Sequence, residues 1–282
     1  MAGTKKAASP REARKQPPKP RISVVSITSG KGGVGKTNIT ANLAYLLAGL
    51  KKKTLIMDAD CGLANIDLIL GLTPQYNLAN VLKGEKTLKE TIIEGPGGIR
   101  ILPATSGIQE MANLSTEQKL ILQDELGNLQ PRPDFMLIDT SAGISENVTY
   151  FNLLARRIIV VVTPEPTSMT DAYALIKVLY QRHTKKRFTL LVNQAKDPEE
   201  SKVVFQRLAQ ATNHFLNLAI EHLGHVAYDE NLIKAVKRQR LLAEIFPDSP
   251  AVKCLRAVAE KIIQAELGDD YGEDSDIMTF FN

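Results

Sequence analysis

The chain has 282 residues, 44% of them hydrophobic and 23% charged, a composition suited to a soluble globular protein with room for one large α/β domain or two small ones. No apolar run reaches the length of a bilayer span, and the amino terminus lacks the apolar centre of a secretory signal, so the expected place is the cytoplasm. Cys61 and Cys254 are the two cysteines, too far apart in sequence to form a C-x-x-C site and too few for a disulfide framework.

The formal charge of +4 conceals opposed ends. Residues 1–20 together with Arg21 carry seven bases against Glu12. This stretch is Pro-rich and nearly devoid of large apolar groups, so it is expected to be a disordered basic tail. From residue 21 to 267 the chain reads as one domain. Apolar runs of strand length alternate there with helix-patterned stretches, which predicts a single doubly wound, mostly parallel sheet with helices on both faces.

The first predicted strand, Ile22–Ile27, runs into Ser29-Gly-Lys-Gly-Gly-Val-Gly-Lys-Thr37, and a helix is predicted over Ile39–Leu50. Gly30, Gly35, Lys36 and Thr37 satisfy G-x-x-x-x-G-K-[ST] in the strand–loop–helix context that this phosphate-binding pattern requires. Glycines at 30, 32, 33 and 35, with Val34 between, let backbone N–H groups approach phosphate oxygens, and the helix directs its positive end at them. Lys36 would neutralise the β- and γ-phosphates, and the Thr37 hydroxyl would ligate Mg²⁺. Gly30, Gly32 and Gly35 also fit the dinucleotide pattern G-x-G-x-x-G, with Asp58 near the place of a ribose-binding acid. A dinucleotide site has no use for Gly-Lys-Thr after the last glycine, whereas a triphosphate site needs it.

A second strand is predicted at Thr54–Met57. Asp58-Ala-Asp-Cys-Gly-Leu-Ala-Asn-Ile-Asp67 follows it, so its acids should emerge beside the phosphate loop. Asp67 also reads as a charge at a helix amino end. Further on come a strand at Ile99–Leu102, a helix at Thr116–Leu126 and a strand at Phe135–Ile138. Asp139 ends that strand before a small-residue turn, where it would hold Mg²⁺ through water, with Gly143 as a pivot for movement. The competing reading makes Asp139 the cap of a helix starting near Ser145.

Strands at Ile158–Val162, Phe188–Val192 and Leu223–Ala227 alternate with helices at Ser168–Gln181, Glu199–Asn213 and Ala251–Glu266. Pro164 and Pro166 fix an extended exit from one strand, and Thr167 or Ser168 is placed to cap the next helix. Cys254 falls in an apolar helical pattern and is assigned to the core. The basic runs Lys185, Lys186, Arg187 and Lys237, Arg238, Arg240 read as solvated faces, so DNA is not an expected partner. Residues 268–282 carry five acids and no base, then Ile277, Met278, Phe280 and Phe281. This acidic tail with an apolar tip is expected to dock on protein more readily than on an anionic membrane.

Lys31 inside K-G-G-x-G-K-T resembles the deviant phosphate loop of the MinD/ParA ATPases. Asp58, Asp60, Gly62, Asn65 and Asp67 resemble that family's first switch, D-x-D-x-G-x-x-N-x-D, and Asp139–Ile144 resembles its second. The resemblance implies a slowly hydrolysing Mg²⁺-dependent ATPase that dimerises with ATP bound. By it, Lys31 reaches across the homodimer, Asp60 positions or deprotonates the attacking water, Asp58 supports the Mg²⁺ shell and Asn193 reads adenine. Ala227 stands where the family usually has a proline near the base.

Thr163–Ala174 with Ser145–Val148 resembles the flagellar-number regulator (FlhG) branch of the family. That branch implies a partner in the flagellar GTPase FlhF or a flagellar transcriptional regulator, with transient attachment at the inner membrane or cell pole. The amino-terminal tail lacks the Asp-Gln-Ala motif found in some of these proteins. A Min- or Par-type positioning ATPase shares every catalytic motif and stays open as the alternative. An iron–sulfur carrier of related fold would need a cysteine pair, and Cys254 stands alone.

Overall fold

The central strands are buried along nearly their whole length, so the sheet has two buried faces, each covered by helices. The computed structural model describes residues 22–60, 65–104 and 114–268. In chain order its elements are β1 (Ser23–Ser29), α1 (Lys36–Gly49), β2 (Thr54–Ala59), α2 (Ile66–Leu70), α3 (Leu78–Leu82), α4 (Leu88–Thr91), β3 (Ile93–Glu94), β4 (Arg100–Leu102), α5 (Thr116–Asn128) and β5 (Phe135–Ala142). They continue with α6 (Glu146–Leu154), β6 (Arg157–Val162), α7 (Pro166–His183), β7 (Phe188–Ala195), α8 (Pro198–Leu216), β8 (Glu221–Ala227), α9 (Glu230–Lys237), α10 (Leu242–Ile245) and α11 (Pro250–Gly268). The basic tail over residues 1–20, Cys61 and Gly62 of the first switch, and residues 269–282 lie outside the described residues.

The eight strands are ordered β3-β4-β2-β5-β1-β6-β7-β8, and every neighbouring pair is parallel except β3 with β4. Val25 and Ile27 of β1, Ile56 of β2 and Leu137 of β5 pack on one face with α1 and α11. Their alternates Val24, Leu55, Met57, Met136 and Ile138 pack on the other with α3, α5 and α6, and β6 and β7 meet α7 and α8 there. Helix α1 is buried nearly all round, which explains why its sequence shows no narrow apolar stripe.

All seven predicted strands and all five predicted helices are present, with shifted ends. Strand β2 runs through Asp58 to Ala59, and β5 runs through Asp139 to Ala142. Both acids therefore lie inside strands and take their positions from strand register, one to three residues short of the strand ends at which the sequence placed them. The antiparallel β3 and the short helices α3, α4, α9 and α10 have too few residues to develop a clear period and were not anticipated, whereas α2 is the helix that the second reading of Asp67 called for. Cys254 is half-buried, with Sγ 3.7 Å from His225 Nε2, and so borders the core.

Candidate functional site

Three adjacent central strands, β2, β5 and β1, deliver the principal groups to one edge of the sheet. Pairing sets Asp58 opposite Asp139 and Asp139 opposite Ile27, so the two carboxylates stand side by side next to the strand that feeds the glycine loop. The loop then turns sharply into α1. Gly33 and Gly35 have φ of 77° and 92°, a region costly for residues with a Cβ. Gly30 is constrained by space: a Cβ there would lie 2.1 Å from the Asp171 carbonyl oxygen of α7. A Cβ on Gly35 would lie 2.4 Å from Asn193 Nδ2, whereas Gly32 faces open space. Gly35 is the residue before α1, and no side chain caps the helix. The first-turn N–H groups thus form a positive cradle suited to an anion.

Lys36 is 8% exposed, and its Nζ donates to Ser29 Oγ at 2.9 Å. Ser29 in turn donates to the Lys31 carbonyl at 2.7 Å, so the lysine and the loop backbone are held through one hydroxyl. Burial lowers the Lys36 pKa, opposed by Asp139 and Asp60. Lys31 is turned toward α7. Its Nζ pairs with Glu165 and donates to Thr167 Oγ1 at 3.0 Å.

Asp58 and Asp139 are each 1% exposed. Asp58 accepts from the backbone N–H groups of Asp60 at 3.1 Å and of Asn65 and Ile66 at 3.3 Å. Burial and then the neighbouring Asp139 nevertheless push its pKa up to about 8. Burial pushes Asp139 up to about 6, against the pull of the Thr37 hydroxyl, Lys36 and the Thr40 hydroxyl at 3.3 Å. Asp60 accepts from Ser141 Oγ at 2.8 Å. Two buried carboxyls held above their ordinary range make a place short of positive charge, and a cation fits it. Among the described residues no group of three or more His, Cys, Asp or Glu side chains could hold a metal by itself. A cation here would combine two carboxylates and a hydroxyl with oxygens of ligand and water, as Mg²⁺ prefers.

Asp139 faces Thr37 and Thr40 and caps no helix; Ser145 caps α6, accepting from the Val148 N–H. Asp67 stands in the first turn of α2, as its reading as a helix-end charge expected. The expected cap of α7 by Thr167 or Ser168 is not formed. Glu165 and Pro166 open that helix without a side-chain cap, Thr167 is drawn to Lys31, and Ser168 Oγ accepts from the Thr163 N–H at 3.0 Å. Asn193 donates to the Val34 carbonyl at 2.7 Å and so braces the loop from below. It also borders a cavity of about 150 Å³ that extends past Asn38 to Ala227, Tyr228 and Asp229.

Sequence reasoning missed Ser29, Thr40, Ser141, Glu165 and Thr167 as site residues. Thr40 carried a usable signal, since four residues after Lys36 is the same helix face. Glu165 and Thr167 meet Lys31 only through the packing of α7 against the loop, and local pattern holds no trace of that. A buried polar network also stands beneath the site. Asn152 of α6 accepts from Ser26 Oγ at 2.8 Å and donates to Thr28 Oγ1 at 3.2 Å, and Thr140 donates to Thr28 at 2.9 Å. Above it, the Gly143 N–H donates to the Ser29 carbonyl at 2.9 Å and ties the end of β5 to the phosphate loop.

A family model described as an AAA domain matches residues 22–192. The antiactivator FleN of Pseudomonas aeruginosa is 44% identical over 241 residues, 86% of each chain. The flagellum site-determining protein YlxH of Helicobacter pylori is 37% identical over 226 residues, 79% of this chain and 76% of that protein. In fold, the chain matches the septum site-determining protein MinD of Pyrococcus horikoshii, solved with Mg-ADP, at a TM-score of 0.72 and 24% identity over 89% of this chain and 100% of that one.

Proposed function

Because the chain belongs to the AAA-domain family of MinD/ParA-type ATPases, with FleN and YlxH among its relatives, we propose that it is an ATP-driven switch that sets flagellar number or placement. The observation that carries this reading is a complete phosphate loop in a chain 44% identical to an antiactivator named FleN over 86% of both. The N–H groups at the start of α1 and Lys36 hold the triphosphate. Thr37, Asp58 and Asp139 hold Mg²⁺, which supplies charge neutralisation at the phosphates. Asp60, fixed by Ser141, orients the attacking water or takes its proton, a role that asks for one positioned carboxylate. Adenine occupies the cavity bordered by Asn193, Ala227 and Tyr228, in which the small Ala227 side chain leaves room beside the base.

Lys31 acts across an ATP-dependent homodimer, and its pairing with Glu165 and Thr167 is the resting arrangement that must open first. The switch works through a bound protein, the flagellar GTPase FlhF or a flagellar transcriptional regulator, and its place is the cytoplasm with transient attachment at the inner membrane or cell pole. Among the described residues no helix is long and apolar enough to cross a membrane. The test is deletion of the gene followed by a count of flagella per cell, with re-expression of the wild-type chain and of Lys36→Ala. An altered count, restored by wild type alone, is expected. An unchanged count with displaced septa would favour the Min-type reading instead.

A further inference from the structure

The edge of the sheet opposite the phosphate loop carries a second charged cavity. Arg157 opens β6, Arg187 immediately precedes β7 and Glu221 opens β8, so these residues gather at the amino ends of three adjacent strands. With Arg156, Thr189 and Glu266 they line a cavity of about 230 Å³. Three arginines face two glutamates, which leaves a surplus of positive charge. Arg157 stands 3.6 Å from Glu221, and its Nε is buried without a hydrogen-bond partner among the described residues. Lys185, which donates to the Ala155 carbonyl at 2.9 Å, and the exposed Lys186 extend the surplus outward.

Glu266 lies two residues before the end of α11 at Gly268, so the chain leaves the domain at the rim of this cavity. The next eight residues, 269–276, hold five acids and no base. Acids that follow a helix carboxyl end meet the negative pole of its dipole and repel one another. The last turn of α11 has no basic residue to offset them. The arginine-lined cavity offers charge of the opposite sign where the acids begin. A tether of a few residues holds them there at an effective concentration on the order of mM, so several ion pairs formed together, and not one alone, give occupancy.

We propose that residues 269–276 of the same chain dock on this cavity, with Asp269, Asp270 and Glu273 set against Arg156, Arg157 and Arg187. Docking holds the residues that follow α11 on the side away from the nucleotide. The contact is ionic, so salt releases it.

The full-length chain is digested with chymotrypsin, and cleavage after Tyr271 is timed by mass spectrometry. Cleavage is expected to accelerate about tenfold when salt rises from about 0.05 M to about 0.5 M, as screening removes the pairs. The same acceleration at low salt is expected for Arg156→Glu/Arg187→Glu, and separately for Asp269→Lys/Asp270→Lys/Glu273→Lys. Combining the two sets should restore protection, a result that direct pairing gives and a folding defect does not. The salt series uses the unaltered chain, so it stands even where a variant fails to fold. Cleavage indifferent to salt and to both reversals would overturn the proposal. Protection that grows with protein concentration would overturn it as well, by assigning the acids to a second copy.

Discussion

Asp58 and Asp139 are buried side by side with raised pKa values, and this has a measurable consequence for the ligand-free protein. A carboxyl with a folded pKa of about 8 and an ordinary value of 3.8 costs nothing below pH 4, where both states are protonated. Above that the unfolded chain releases its proton while the folded one retains it, so stability falls until the folded group also ionises near pH 8. Asp58→Asn should therefore gain in stability on wild type as pH rises from about 4 to about 8, by on the order of a few kcal/mol, and its melting temperature should rise relative to wild type accordingly. Thermal melts of both chains across that range check it, and a constant difference would remove Asp58 from this role. Lys36→Ala should abolish ATP binding, because the loop has no second buried cation beside Ser29. Asp60→Ala should bind ATP like wild type and lose turnover by roughly 10²–10⁴-fold, the usual worth of a positioned acid or base. Titration with ATP and phosphate-release assays separate the two. At this scale residue type and spacing alone picked out Lys36, Thr37 and the three acids, which the fold brings together at one edge of the sheet. The sequence was silent on Glu165 and Ser141, whose partners lie 134 and 81 positions away along the chain.

Among the elements, α6 and α7 do the bracing. Asn152 of α6 is fully buried and serves Ser26 and Thr28 of β1, so Asn152→Leu would leave both hydroxyls short of a partner. A loss of about 1–3 kcal/mol is expected, measured by denaturant titration, with reduced ATP affinity as the loop loses support. Helix α7 presses its Asp171 carbonyl on Gly30, and Gly30→Ala should displace helix or loop at a cost of about 1–3 kcal/mol. Gly32→Ala, with open space around it, is the matched control and should melt near wild type. Long elements were legible because a period needs length to show itself: the strands Ile158–Val162 and Phe188–Val192 and the helix over Ser168–Gln181 were found from pattern alone. Four- and five-residue helices such as α4 and α2 rest on local caps and packing. The extension of β5 past Asp139 escaped notice because Thr140, Ser141 and Ala142 look like a turn until β1 is set alongside them.

For the whole molecule, the pairing of Lys31 with Glu165 bears on the proposed homodimer. The pair is partly exposed, with side-chain accessibilities of 37% and 58%, so it is worth at most about 1 kcal/mol and can restrain the lysine without trapping it. Glu165→Gln should lower the ATP concentration at which dimers form by up to about fivefold, and Lys31→Ala should bind ATP yet remain monomeric. Light scattering with a non-hydrolysable analogue measures both, and full dimerisation of Lys31→Ala would dismiss the trans role. The order of strands was not legible in advance, since it depends on which distant segments pair, but the placement of the site at the carboxyl edge followed from strand–loop–helix grammar. The Gly143 amide and the Ser29 carbonyl fasten together the two loops that would face the outermost phosphate. Loops fastened at their bases tend to move together, so a change at one is felt at the other. Under the proposed function, that linkage favours an all-or-none reply over a graded one, as a counter needs.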